Sequence, residues 1–285
     1  MEAVSAVKMR KSQLRALTAR PYATAALSIL ERMSVSLSSV KHPLTAERPL
    51  AKAAVVVVTS DKGLCGVLNS AALKEAAAVV SGLGLPKESI SIYAFGRKGA
   101  DYFSRRGYRV AERFENVSDD VSVADLANIS GDIAVAFTEK KFDRAFIVYT
   151  NFKSTFEQKA ISHQLLPLSL ETVSEMVKGI IPEKGKYAEV ERLPSEGPAH
   201  YTAEPSQEVI LDSLIPKLVS ILFFHGLLES KASEHSARMV AMKNASDKSK
   251  ERSKLLTRTF NKARQAAITR EVSEIVGGIE AMASV

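Results

Sequence analysis

KLVSILFFHGLLESKASEHSARMVAMKNASDKSKERSKLLTRTFNKARQAAITREVSEIVGGIEAMASV, residues 217–285, runs for 69 residues without a proline and is interrupted only by Gly226, Gly277 and Gly278. Good helix formers fill the rest, so the chain from Ser206 onward reads as one continuous helix. At helical rise that is about 100 Å of rod. A globular helix averages about a dozen residues, and no single compact core buries one of this length along its whole course. The rod needs a helical partner or a sheath. Apolar residues at Leu211, Leu214, Leu218, Ile221, Leu228, Ala232, Met239 and Met242 recur in steps of three and four, with His225 and His235 filling two seam positions. That is coiled-coil spacing. The seam lapses across DKSKERSK (247–254) and resumes at Leu256, Phe260, Ala263, Ala267, Val272, Ile275, Ile279 and Met282.

The natural partner is the other end of the chain. Met1 to about Val40 is helical in composition, proline-free apart from Pro21, and carries an apolar stripe at Val4, Val7, Leu14, Leu17, Leu27, Leu30, Met33 and Leu37. The alternative is a surface helix lying on the central domain. An antiparallel pairing of the two ends also accounts for the charge. The chain has a formal net charge of +7, yet residues 1–20 carry a net +4 and residues 247–270 a net +6, which leaves the remainder acidic. Basic ends point to an acidic partner for whatever they build.

Between the ends, strand and helix alternate. AAVVVVTS (53–60) is a β-branched run suited to a buried parallel strand; it breaks at Asp61 and Gly63 before a helix from about Gly66 to Val80. SIYAFG (91–96), Tyr108 to Arg113, DRAFIVYT (143–150) and FEQKAISHQLLPL (156–168) read as further strands. Helices are expected around Arg97 to Arg106 and from Ser122 to Lys140, the latter opened by a Ser122/Asp125 capping box. Residues 167–205 hold five of the ten prolines and read as an irregular crossing back to the rod, with a short strand near Tyr187 to Arg192. The expected architecture is therefore α/β: a long antiparallel coiled coil of N- and C-terminal helices plus a Rossmann-like α/β domain. Its parts are an N-terminal helix (1–45), an α/β bulb (53–168), a Pro-rich connection (169–205) and a C-terminal helix (206–285).

Composition narrows the function. With 285 residues, 46% hydrophobic and 25% charged, the chain is neither disordered, collagenous nor a disulfide scaffold, since it holds one cysteine, Cys65. Its longest strictly apolar run, Ala53 to Val58, falls far short of the ~20 residues that span a bilayer, so no transmembrane segment is expected. The first ten residues lack an apolar core followed by a cleavage site, and a cytoplasmic protein is expected. Among possible catalytic elements, TSDKGLCGVLN (59–69) is a strand, a glycine turn and a helix start that could aim N–H groups at a phosphate. It lacks the Gly-Lys-Ser/Thr ending of a phosphate loop and the three-glycine dinucleotide spacing. A tight turn, with Asp61 satisfying backbone donors, is the simpler reading, and a nucleotide-binding α/β enzyme with a coiled-coil arm is the alternative. The five histidines are scattered without metal-ligand spacing, so no catalytic, cofactor or metal residues are assigned. Only 6% of residues are aromatic and none is tryptophan, which argues against single-strand nucleic-acid binding. The sites are then surfaces: Arg264, Gln265, Thr269 and Glu271 interrupt the seam near the C-terminus and suit recognition of an acidic loop on another protein.

KMRKSQ (8–13), RPY (20–22), TSDKGLCGVLN (59–69), GRKG (96–99), SHQLLPL (162–168), SEHSARMVAMKNASD (233–247) and NKARQAAITREVSEIVGG (261–278) together resemble, in order and over nearly the whole chain, the gamma subunit of the F-type ATP synthase. The resemblance implies a non-catalytic central stalk. Its paired helices would turn inside a ring of three alpha and three beta subunits, and its bulb would rest against the epsilon subunit and the c-subunit ring at the membrane. It implies that Arg264 and Gln265, with Thr269 and Glu271, meet a beta-subunit loop. It gives Lys8, Met9, Arg10, Gly63, Gly66 and Asn244 structural roles, with Asp247 in the same turn set as Asn244, and it implies no cofactor. Two departures stand out. Family members carry roughly twenty further residues ahead of the position of Met1, about 30 Å of helix; a late start assignment is expected, the alternative being a shaft that lacks that part of its pairing, with Arg252 to Lys262 differently supported. DKSKERSK is also more charged than the usual family sequence.

Overall fold

The computed structural model describes residues 2–15, 25, 42–119, 121–169, 171 and 206–283. The expected helix over most of residues 16–41 and the short strand near Tyr187 to Arg192 lie outside them. Two compact units, Met1–Val240 and Ala241–Val285, divide the chain.

The first unit is built on a five-stranded sheet in the order β3-β2-β1-β4-β5. β1 (Ala53–Val58) sits at its centre, parallel to both β2 (Ile90–Phe95) and β4 (Arg144–Phe152). β3 (Arg109–Phe114) extends the parallel side, and β5 (Gln158–Leu166) turns back antiparallel along β4. All six residues of β1 are buried, which is why AAVVVV shows no alternation: both faces of a central parallel strand are covered. Val55, Val57, Ile92, Ala94 and Val148 face one helical layer, where Ala76 and Val80 of α2 (Leu68–Gly82) and Ala100 and Phe103 of α3 (Arg97–Ser104) meet them. The opposite face carries Val56, Val58, Phe95, Ile147 and Tyr149. It packs on Leu126, Ile133 and Phe137 of α4 (Val123–Thr138) and on the start of α5 (Gln207–Ala283). α4 opens with the expected capping box, Ser122 and Asp125 each bonding the other's backbone N–H.

Coiled-coil spacing understates how deeply α5 is held in this unit. From Ile221 to Ser230 every residue is buried, including Leu222, Phe223 and Leu227, which lie off the expected seam. The reason is the sheet. Phe223 packs edge-on against Phe95, and a Cβ at Gly226 would lie 3.1 Å from Ile147 and 3.3 Å from Tyr149, so the helix lies close on β4. On its other flank Ser220 and Ser130 of α4 share a hydroxyl hydrogen bond of 2.7 Å. By length and composition α5 also contains an 18-residue window apolar enough to cross a membrane, but 61% of that window is buried inside the protein. Its apolarity serves the sheet face. Residues 2–15 form a further helix, α1, in the same unit.

The second unit is the continuation of α5. Here Leu256, Phe260, Val272, Ile275, Ile279 and Met282 are all more than half exposed. Among the described residues the second half of the expected seam therefore has no packed counterpart.

Candidate interaction surface

The glycine turn at 59–69 and GRKG at 96–99 are two halves of one interlock. Asp61 accepts the backbone N–H groups of Arg97 and Asn116, each at 3.0 Å. The first of these is the N-terminal end of α3, where a helix dipole would favour an anion. The chain's own carboxylate already occupies it. Thr59 lies beneath Gly96 so closely that a Cβ there would fall 2.2 Å from the Thr59 carbonyl oxygen, and Gly96 has φ +87°. Asn69 ties the turn down by accepting the Ser60 N–H at 3.0 Å and donating to Cys65 Sγ at 3.2 Å. Gly66 takes φ +59°, and both it and Gly63 are exposed with open space around them.

α5 carries a polar stretch where it meets the top of the sheet. β4 runs beyond β1, so the outward N–H groups of Thr150 and Phe152 have no strand to bond. Ser230 Oγ accepts the first at 2.9 Å and Glu229 Oε2 the second at 2.7 Å, while Ser233 Oγ donates back to the Thr150 carbonyl at 3.1 Å. Helix side chains thus continue a ladder that the sheet leaves off. A turn later, Asp119 in the β3–α4 loop gathers groups from two helices. Lys8 Nζ of α1 lies 2.8 Å from Oδ2, and His235 Nε2 and Lys231 Nζ of α5 lie 2.9 and 3.8 Å from Oδ1. The His235 hydrogen bond, with help from Lys8 and Lys231, holds the Asp119 carboxyl far below the ordinary carboxylate range despite partial burial, so it stays ionised at neutral pH. These groups line an open cavity of about 320 Å³, together with Asp61, Lys62, Glu234 and Arg238.

The residues assigned from sequence fall into two sets. Lys8 reaches Asp119 and so shares one carboxylate with α5, Met9 is buried, and Arg10 is exposed. Gly63 offers its carbonyl to Arg238 of α5 at 3.4 Å. Asn244, Arg264, Gln265, Thr269 and Glu271 all lie exposed on α5 in the second unit. There Arg264 and Glu271 are two turns apart on one face and Gln265 and Thr269 one turn apart on the next. Sequence reading missed Asp119 and Lys231 and gave His235 only a seam position. The contacts of Asp119 with Lys8 and His235 join residues more than a hundred positions apart, so no local signal marks them. Among the described residues no cluster of His, Cys, Asp and Glu is arranged to hold a metal ion.

Residues 1–282 match the family model described as ATP synthase. The chain is 37% identical over 283 residues to the ATP synthase gamma chain of Heliobacterium modesticaldum, covering 99% of this chain and 92% of that one. It is 38% identical over 290 residues to the gamma chain of Parafrankia sp., covering 100% and 91%. The chain belongs to the ATP synthase gamma-chain family. Among solved structures, the central stalk and c-ring of Tetrahymena thermophila mitochondrial ATP synthase contains a chain with a TM-score of 0.60 at 22% identity, covering 86% of this chain and 97% of that one. A chain of the Euglena gracilis mitochondrial enzyme gives 0.55 at 18% identity, covering 99% and 94%. At those identities the likeness speaks for the fold. As a gamma chain, the molecule is the rotating stalk subunit of the membrane-associated F1 complex and not one of the subunits that catalyse.

Proposed function

We propose that this gamma chain couples proton flow through the membrane sector to ATP synthesis at the beta-subunit catalytic sites, by turning inside the ring of three alpha and three beta subunits. Its bulb rests against the epsilon subunit and the c-subunit ring at the cytoplasmic face of the cell membrane. The observation that carries this reading is the second unit: a helix with Leu256, Phe260, Val272, Ile275, Ile279 and Met282 more than half exposed presents a long apolar row suited to a sleeve of other chains around the paired helices. A shaft shifts the affinities of three sites only if it touches them unequally, because a contact equal in every state biases none of them. Arg264, Gln265, Thr269 and Glu271 supply that asymmetry, meeting one beta-subunit loop at a time through a multi-donor guanidinium and an amide beside it.

The test is co-purification from native membranes followed by Arg264→Ala with Gln265→Ala in the assembled complex. ATPase activity or its coupling to proton movement is expected to fall severalfold while the chain still folds and assembles. Unchanged coupling in the double variant removes the contact assignment; failure of the chain to travel with alpha and beta subunits removes the function.

A further inference from the structure

Asp119 does more than fill a gap between loops. Its side chain, 22% exposed, is bonded by one residue of α1 and one of α5, with a second α5 cation close by, and Arg15 of α1 donates to its carbonyl oxygen at 2.6 Å. The loop that carries it is itself anchored. Lys231 Nζ donates to the Val117 carbonyl at 2.9 Å, and the Asn116 N–H bonds Asp61, which in turn holds the start of α3. Arg238, paired with Glu234 at 2.8 Å, makes a second and longer reach to the carbonyls of Lys62 and Gly63 at 3.4 Å. An unbroken chain of directional bonds therefore runs from α5 through the β3–α4 loop to the sheet.

The apolar contact of α5 with the sheet is of a different kind. Hydrophobic burial resists separation but has no direction, whereas charge-assisted hydrogen bonds fix orientation. The load on a rotor is tangential, and it is orientation that must hold. We propose that Asp119 is a positioning residue of the rotary reaction: it keys α1 and α5 to the bulb, so that turning force on the shaft reaches the sheet through Lys8, His235 and Lys231 rather than through apolar contact alone. This rests on the rotor reading above and adds to it the place where shaft and bulb are locked.

The experiment uses the assembled synthase in membrane vesicles, comparing ATP-driven proton pumping with ATP hydrolysis for the unaltered chain, Asp119→Asn and Asp119→Glu. Asp119→Asn removes the charge and keeps the size. The ratio of pumping to hydrolysis is expected to fall severalfold in Asp119→Asn, with normal subunit content in the membrane, and to recover in large part in Asp119→Glu. A residue that only stabilises the fold would lower pumping and hydrolysis together and leave their ratio alone, and that result overturns the proposal. If Asp119→Asn does not assemble, the same ratio is read in Lys8→Gln, which leaves Asp119 its two partners on α5; a ratio equal to that of the unaltered chain is again a refutation. Vesicles with the unaltered chain separate the two levels, since absence of coupled pumping there counts against the rotor reading and not against the key.

Discussion

Glycines that look alike in sequence do different work. Gly63 and Gly96 both stand in short glycine-bearing motifs, yet one has open space where a Cβ would go and the other has the Thr59 carbonyl oxygen 2.2 Å away at a positive φ. Gly96→Ala forces either the β2–α3 junction or the end of β1 to move. It is expected to destabilise the chain by about 3 kcal/mol or more, combining backbone strain with a backbone clash. Gly63→Ala is expected to fall within ~0.5 kcal/mol. Denaturant unfolding of the two purified variants checks the pair, and equal effects would show that the turns are not interlocked. Asp61 was legible as an acceptor of backbone donors because an acidic residue after a strand has that habit. That it would reach across to Arg97 and Asn116 was not, since sequence spacing carries no information about a neighbouring strand's end.

The same division runs through the elements. The five strands and three helices of the bulb were legible because each is set locally: a β-branched run for β1, a serine and an aspartate three apart for the start of α4, a glycine before α3. α5 was legible as a helix and as half of a pairing, but its first half was read with too narrow a buried face. A seam counted in threes and fours registers a partner helix and is blind to a sheet, which covers Phe223 and Leu227 as well as Leu228. The two halves of α5 should answer mutation differently. Phe223→Ala empties a site packed against Phe95 and is expected to cost about 3–5 kcal/mol, whereas Phe260→Ala, 65% exposed, is expected to change the purified chain by less than ~0.5 kcal/mol. Thermal unfolding of both proteins decides; a large loss from Phe260→Ala would mean that the chain covers its own second half.

At the scale of the molecule, charge and apolar surface point outward together. The basic excess lies in residues 1–20 and 247–270, and the long exposed apolar row is on the same C-terminal helix. Basic segments that steer a chain toward an acidic partner do so through a field that salt screens over about 10 Å at ordinary ionic strength. The rate at which the purified chain joins preassembled alpha and beta subunits is therefore expected to drop severalfold as salt is raised, read by stopped-flow fluorescence. A rate indifferent to salt would leave the clustering of charge without a role. The carboxylate of Asp61, seated where a sheet of this kind could otherwise cradle a phosphate, has its own bearing on how such a machine is held together. An axle that stoppers this crevice with its own side chain spends the helix end on holding itself rigid, and a loose plug there would slacken the joint between two strands and a helix.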